Sequence, residues 1–109
     1  MRQLSHCAIA AACVVLSAVA ARAAGDRENG AAIAERWCAS CHLIGPEQES
    51  AVEGIPSFMA VARAADRDAD VLAGFLVDPH PPMPDLSLTR QEIQDVLAYI
   101  ASLRDADAN

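Results

Sequence analysis

Cys38-Ala39-Ser40-Cys41-His42 decides how the rest of this chain is read. Two thiols three residues apart, followed at once by an imidazole, form the attachment signature for a c-type haem. Each part of the pattern has a chemical task. One thiol can add across each of two porphyrin vinyl groups, giving two thioether tethers, and the adjacent imidazole can then reach the iron from one side. The pentapeptide therefore predicts one haem c, held by Cys38 and Cys41 and ligated by His42.

Outward from that motif, the N-terminus predicts where the chain works. Arg2 supplies a short positive start, and Cys7 to Ala20 is apolar apart from Ser17. Ala21-Arg22-Ala23 then has the small-x-small form of a cleavage site. Residues 1–23 are expected to be a secretory signal peptide cleaved near Ala23, leaving a domain over 24–109 in the periplasm. The apolar run is too short for a bilayer, which needs about 20 residues, so no stable membrane insertion is expected after its removal. Cys7 and Cys13 would leave with it. The attachment pair would then be the only cysteines, with none for a structural disulfide. Of 109 residues, 23 are lost and 86 remain: one domain, of a size at which a buried cofactor usefully supplements the core.

The charge balance narrows the partners. The chain has no lysine, and after residue 23 six arginines face fifteen acids, a net charge of −9. Nucleic acid is excluded as a partner, because neutralising phosphates needs a basic surface. Docking of an acidic face on a basic redox protein is compatible with this charge.

The pattern predicts an all-α domain. From Asp26, a plausible N-cap, Gly30, Ile33, Ala34, Trp37, Cys38 and Cys41 recur at helical spacing, so the pentapeptide closes a first helix, with Trp37 packing beside the tether. A loop over Leu43 to Ile55 follows. Ser57 caps a short helix, on which Met59 reads as a core filler. Asp68 or Asp70 starts a third with Val71, Leu72, Phe75 and Leu76 on one face, stopped by Asp78-Pro79. The last helix begins at the capping box Thr89-x-x-Glu92, with Leu88 and Ile93 as a hydrophobic staple, and carries Ile93, Val96, Leu97, Ile100 and Leu103 as its apolar stripe.

The second chemical signal is Pro79-His80-Pro81-Pro82-Met83-Pro84. Four prolines in six residues restrict φ, so the loop has little freedom left to lose when a side chain is fixed. Met83 is the candidate ligand opposite His42, with His80 as the alternative. A Met/His pair raises the potential relative to two imidazoles and occupies both axial positions, which suits electron transfer without catalysis.

Two other readings of the pentapeptide stay open at this stage. Trp37-Cys-x-x-Cys41 echoes a thiol–disulfide oxidoreductase, which would need a preceding strand and a βαβ context. A zinc site could draw only on Cys38, Cys41, His42 and His80.

Taken together, Cys38–His42, the Met83 loop and Leu97-Ala98-Tyr99-Ile100-Ala101-Ser102-Leu103 resemble the small class I, monohaem cytochromes c of bacteria, over nearly all of residues 25–103. The resemblance implies a fold of about four to five short helices around one covalent haem, cycling between Fe(II) and Fe(III). It implies that Gly30 in the first helix meets Tyr99 in the last. It implies also that a proline carbonyl orients His42: Pro56 resembles that residue, and Pro46 is the other candidate. The sequence departs from the family at Ala34, where many members carry a bulky aromatic, and in lacking a lysine-ringed docking face. The partners implied are redox proteins, either a membrane electron-transfer complex or a periplasmic dehydrogenase, of which the chain could also be the haem subunit.

Overall fold

The computed structural model describes residues 25–64 and 68–104; the signal-peptide expectation for 1–23 and the polar tail after Arg104 lie outside them. Four helices and no strand occur among the described residues: α1 (Arg27–Trp37), α2 (Phe58–Arg63), α3 (Ala69–Val77) and α4 (Arg90–Ser102).

Each helix begins where a short polar side chain meets otherwise unsatisfied N–H groups. Asp26 Oδ1 accepts from Glu28 N at 2.9 Å and Asn29 N at 3.1 Å. Ser57 Oγ accepts from Ala60 N at 3.1 Å, and Asp68 Oδ1, rather than Asp70, from Val71 N at 2.9 Å. At α4 the box is reciprocal: Glu92 N donates to Thr89 Oγ1 at 3.2 Å and Thr89 N to Glu92 Oε2 at 2.8 Å. The staple residues lie on the inner side, Ile93 buried and Leu88 half-buried against the core.

The frame is the crossing of α1 and α4, the most extensive helix contact; α2 and α3 also pack on α4. Ile33, Ala34 and Cys38 meet Val96 and Ile100 in one core with Phe58, Met59, Ala62 and Leu103. Burying each of the larger aliphatic side chains stabilises by about 1.5–3 kcal/mol relative to leaving it exposed. Ala34, the departure from the family pattern, is wholly buried.

Close approach explains a glycine at position 30. A Cβ there would collide with the Asp95 carbonyl and lie 3.0 Å from Tyr99 Cβ. The backbone of α1 thus rests on the backbone of α4, one turn before Tyr99. Beside this contact is a buried acid. Asp95, 3 % exposed, accepts from Asp26 N and Asn29 Nδ2 at 2.7 Å each and from Gln91 Nε2 at 2.8 Å. Burial alone would push its carboxyl up; the three hydrogen bonds outweigh that and hold it below the usual aspartate value.

Candidate functional site

The C-terminal end of α1 runs directly into the pentapeptide. Cys38 caps the helix through its N–H to Ala34 O at 2.8 Å, and Cys41 N and His42 N both turn back onto Cys38 O, at 3.1 and 2.9 Å. This tight turn buries Cys38 and leaves Cys41 exposed. Burial pushes the Cys38 thiol up from its ordinary pKa.

His42 Nδ1 lies 2.7 Å from the carbonyl oxygen of Pro56. That oxygen can only accept, so Nδ1 carries the hydrogen and, in the neutral ring, Nε2 keeps the free lone pair. The approach of Pro56 is built by the backbone: Phe58 N donates to Leu43 O at 2.8 Å, which folds the end of the loop back beside His42. The Phe58 ring stands 5.5 Å from the imidazole and 6.4 Å from Tyr99, whose hydroxyl donates to Ile44 O at 2.7 Å. Burial raises the Tyr99 pKa, so the hydroxyl stays a donor at neutral pH.

Cys38, Cys41, His42, Pro56 and Met83 all line one cleft, with about 1120 Å³ of atom-free space including its open mouth. Its walls are otherwise almost wholly apolar. Val61 of α2, Leu72, Phe75 and Leu76 of α3, Ile100 of α4 and Leu86 from the loop before α4 provide them. Met83 is half-buried, its N–H donating to His80 O at 2.9 Å in the proline-rich loop. His80 is exposed at the rim, edge-on to Phe75 at 5.5 Å. Trp37, 53 % exposed, lines the cleft together with Cys38 and Cys41. Met59 is in the core, outside the cleft lining.

The model of the cytochrome c family matches residues 27–104, which takes in all four helices and the cleft. The chain belongs to the cytochrome c family. It is also 44 % identical over 102 residues to cytochrome c-552 of Bradyrhizobium diazoefficiens, a match covering 91 % of this chain and 98 % of that protein. No solved structure gives a significant match.

As a small class I monohaem cytochrome c, the chain is an electron carrier and not an enzyme, and it carries one haem c bound covalently through Cys38 and Cys41. The residues present fit that group. Two thiols stand at the end of α1, an imidazole with Nδ1 engaged and Nε2 uncommitted follows them, and apolar side chains line the space where a porphyrin's faces would lie. The structure also speaks against the two rivals. A thiol–disulfide enzyme needs an accessible first thiol of lowered pKa, whereas Cys38 is buried and its pKa is raised. Among the described residues no three His, Cys, Asp or Glu side chains are grouped to hold a metal ion.

Sequence reasoning missed two polar residues of this region. Gln48 ties the loop after His42 through four hydrogen bonds, and Asp95 ties α1 to α4 behind the cleft. A glutamine in a polar loop and an acid beside an apolar stripe have no signal in periodicity.

Proposed function

We propose that this cytochrome c is a periplasmic electron carrier whose iron is held by His42 on one face and Met83 on the other. When bound, the haem supplies a one-electron couple between Fe(II) and Fe(III). The chain's residues define how that couple is used. His42, with Nδ1–H donating to Pro56 O, offers a fixed and electron-rich Nε2. Met83 offers a soft thioether from a loop that four prolines have already ordered, and such a ligand favours the reduced state more than a second imidazole would. With His42 and Met83 both holding the iron, Met83 would keep oxygen and peroxide from the metal. The single observation that carries this reading is that His42 and Met83 line the same apolar cleft as the two thiols.

The leader-like residues 1–23 support export, and the strongly acidic remainder supports brief, salt-sensitive docking on basic redox proteins rather than on nucleic acid. Among the described residues no helix is long and apolar enough to cross a membrane. The partners we propose are a membrane electron-transfer complex or a periplasmic dehydrogenase.

Met83→Ala tests the ligand. The Met–Fe(III) charge-transfer band should vanish while the haem stays attached on a denaturing gel. A band that survives removes Met83 from the site. Haem-stained protein in the osmotic-shock fraction of the cell would support the location, and its retention in spheroplasts would count against it.

A further inference from the structure

His42 is oriented at two levels, and the Pro56 and Phe58 contacts act on its ring. The other level is its main chain. The pentapeptide's turn uses N–H groups, because Cys41 N and His42 N both go to Cys38 O. With no helix continuing beyond, the carbonyls of Ala39 and His42 have no intrahelical partner. Gln48 supplies one. Its Nε2 donates to Ala39 O at 2.9 Å, His42 O at 3.0 Å and Ser50 O at 2.9 Å, while its Oε1 accepts from Ile44 N at 3.1 Å. An amide has two N–H groups, so the three carbonyls share them. One half-buried side chain thereby joins the start of the motif, the histidine itself and the loop that leads to Pro56.

We propose that Gln48 is a positioning residue for the axial imidazole, holding the His42 main chain so that Nδ1–H stays on Pro56 O and Nε2 keeps its donor strength. The inference rests on the reading of His42 as an iron ligand. Its sign follows from ligand basicity. A well-aligned Nδ1–H···O bond makes Nε2 a stronger donor, which favours Fe(III). Loosening that alignment weakens Nε2 and shifts the couple towards Fe(II).

The competing reading is that Gln48 only stabilises a loop. Both readings expect Gln48→Ala to lower stability, so stability alone does not separate them. The haem-loaded protein should be compared as wild type, Gln48→Ala and Gln48→Glu. The glutamate keeps the size and the acceptor for Ile44 N but, when ionised, donates nothing, and it remains informative if the alanine variant does not fold. Asn29→Ala serves as a control, since it removes a bond to Asp95 at the other end of α1.

In the ferrous protein the Nδ1 proton resonance of His42 should move upfield in both Gln48 variants. At fixed solution potential, the ratio of reduced to oxidised protein should rise about threefold, within the effect of one weakened hydrogen bond. Asn29→Ala should leave both readouts at wild-type values. If the Gln48 variants lose stability with neither readout moving, the positioning role is overturned while His42 ligation stands. If the wild type shows no Nδ1 proton from an iron-bound His42, the ligand reading fails, and the proposal with it.

Discussion

The two walls that flank the haem cleft are built on different principles. On one side, α1 and α4 cross backbone to backbone at Gly30, with Ala34 and Val96 wholly buried and Asp95 hydrogen-bonded three ways. On the other, α3 has no buried residue, though it reads ADVLAGFLV. Its Leu72, Phe75 and Leu76 are half-buried on the cleft, and Val77 is 67 % exposed. The first wall is completed by protein packing. The second turns its apolar face to the cleft that would hold the porphyrin. Core burial in this domain would thus be divided between chain and cofactor, the cofactor supplementing a small core.

The largest test of that division is a chain that cannot tether haem. With Cys38→Ser and Cys41→Ser, hydrogen exchange should show α3 and residues 79–86 protected no more than about tenfold over an unstructured chain, as for segments whose opening costs almost nothing. Whatever protection survives should map to α1 and α4. Equal protection of α3 and the crossing would erase the distinction between the walls.

A pair of glycines tests it next, in the haem-loaded protein. Gly30→Ala gains helix propensity of about 1 kcal/mol, yet the new methyl meets the Asp95 carbonyl, which is backbone and has nowhere to go. The collision should win, for a net loss of about 3 kcal/mol in denaturant unfolding. Gly74 in α3 has nothing within 4 Å of its would-be Cβ, so Gly74→Ala should instead stabilise by about 0.5–1 kcal/mol. Equal signs at the two sites would sink the contrast.

Much of the packed wall was legible in the sequence. Caps at Asp26, Ser57 and Thr89, and the stripe from Ile93 to Leu103, are local signals, and the fold obeys them. The pentapeptide was legible for the same reason: its chemistry lies within five consecutive residues. Relations between distant segments were harder to see. Whether Pro56 or Pro46 approaches His42 depends on how the Leu43–Ile55 loop folds, and Phe58 N on Leu43 O decides that. Asp95 went unread because an acid between Ile93 and Val96 looks outward-facing until its donors, 66 and 69 residues away, are brought to it.

That acid gives the packed wall a pH dependence. In the fold Asp95 sits below its ordinary value: desolvation opposes ionisation, and the bonds from Asp26, Asn29 and Gln91 prevail. A depressed carboxyl adds stability above its unfolded pKa of about 3.9, and that contribution is lost as pH falls through the folded value. Asp95→Asn keeps the volume but turns an amide N–H towards the part-buried donors of Asp26, Asn29 or Gln91. At pH 7 it should cost about 1–3 kcal/mol in urea unfolding, because donors that had an anionic partner are left facing another donor. Below pH 4 the gap between wild type and variant should narrow, since the wild-type carboxylate is itself being protonated. A gap as wide at pH 3 as at pH 7 would mean that the clasp between α1 and α4 owes its strength to shape and hydrogen-bond count rather than to the charge on Asp95.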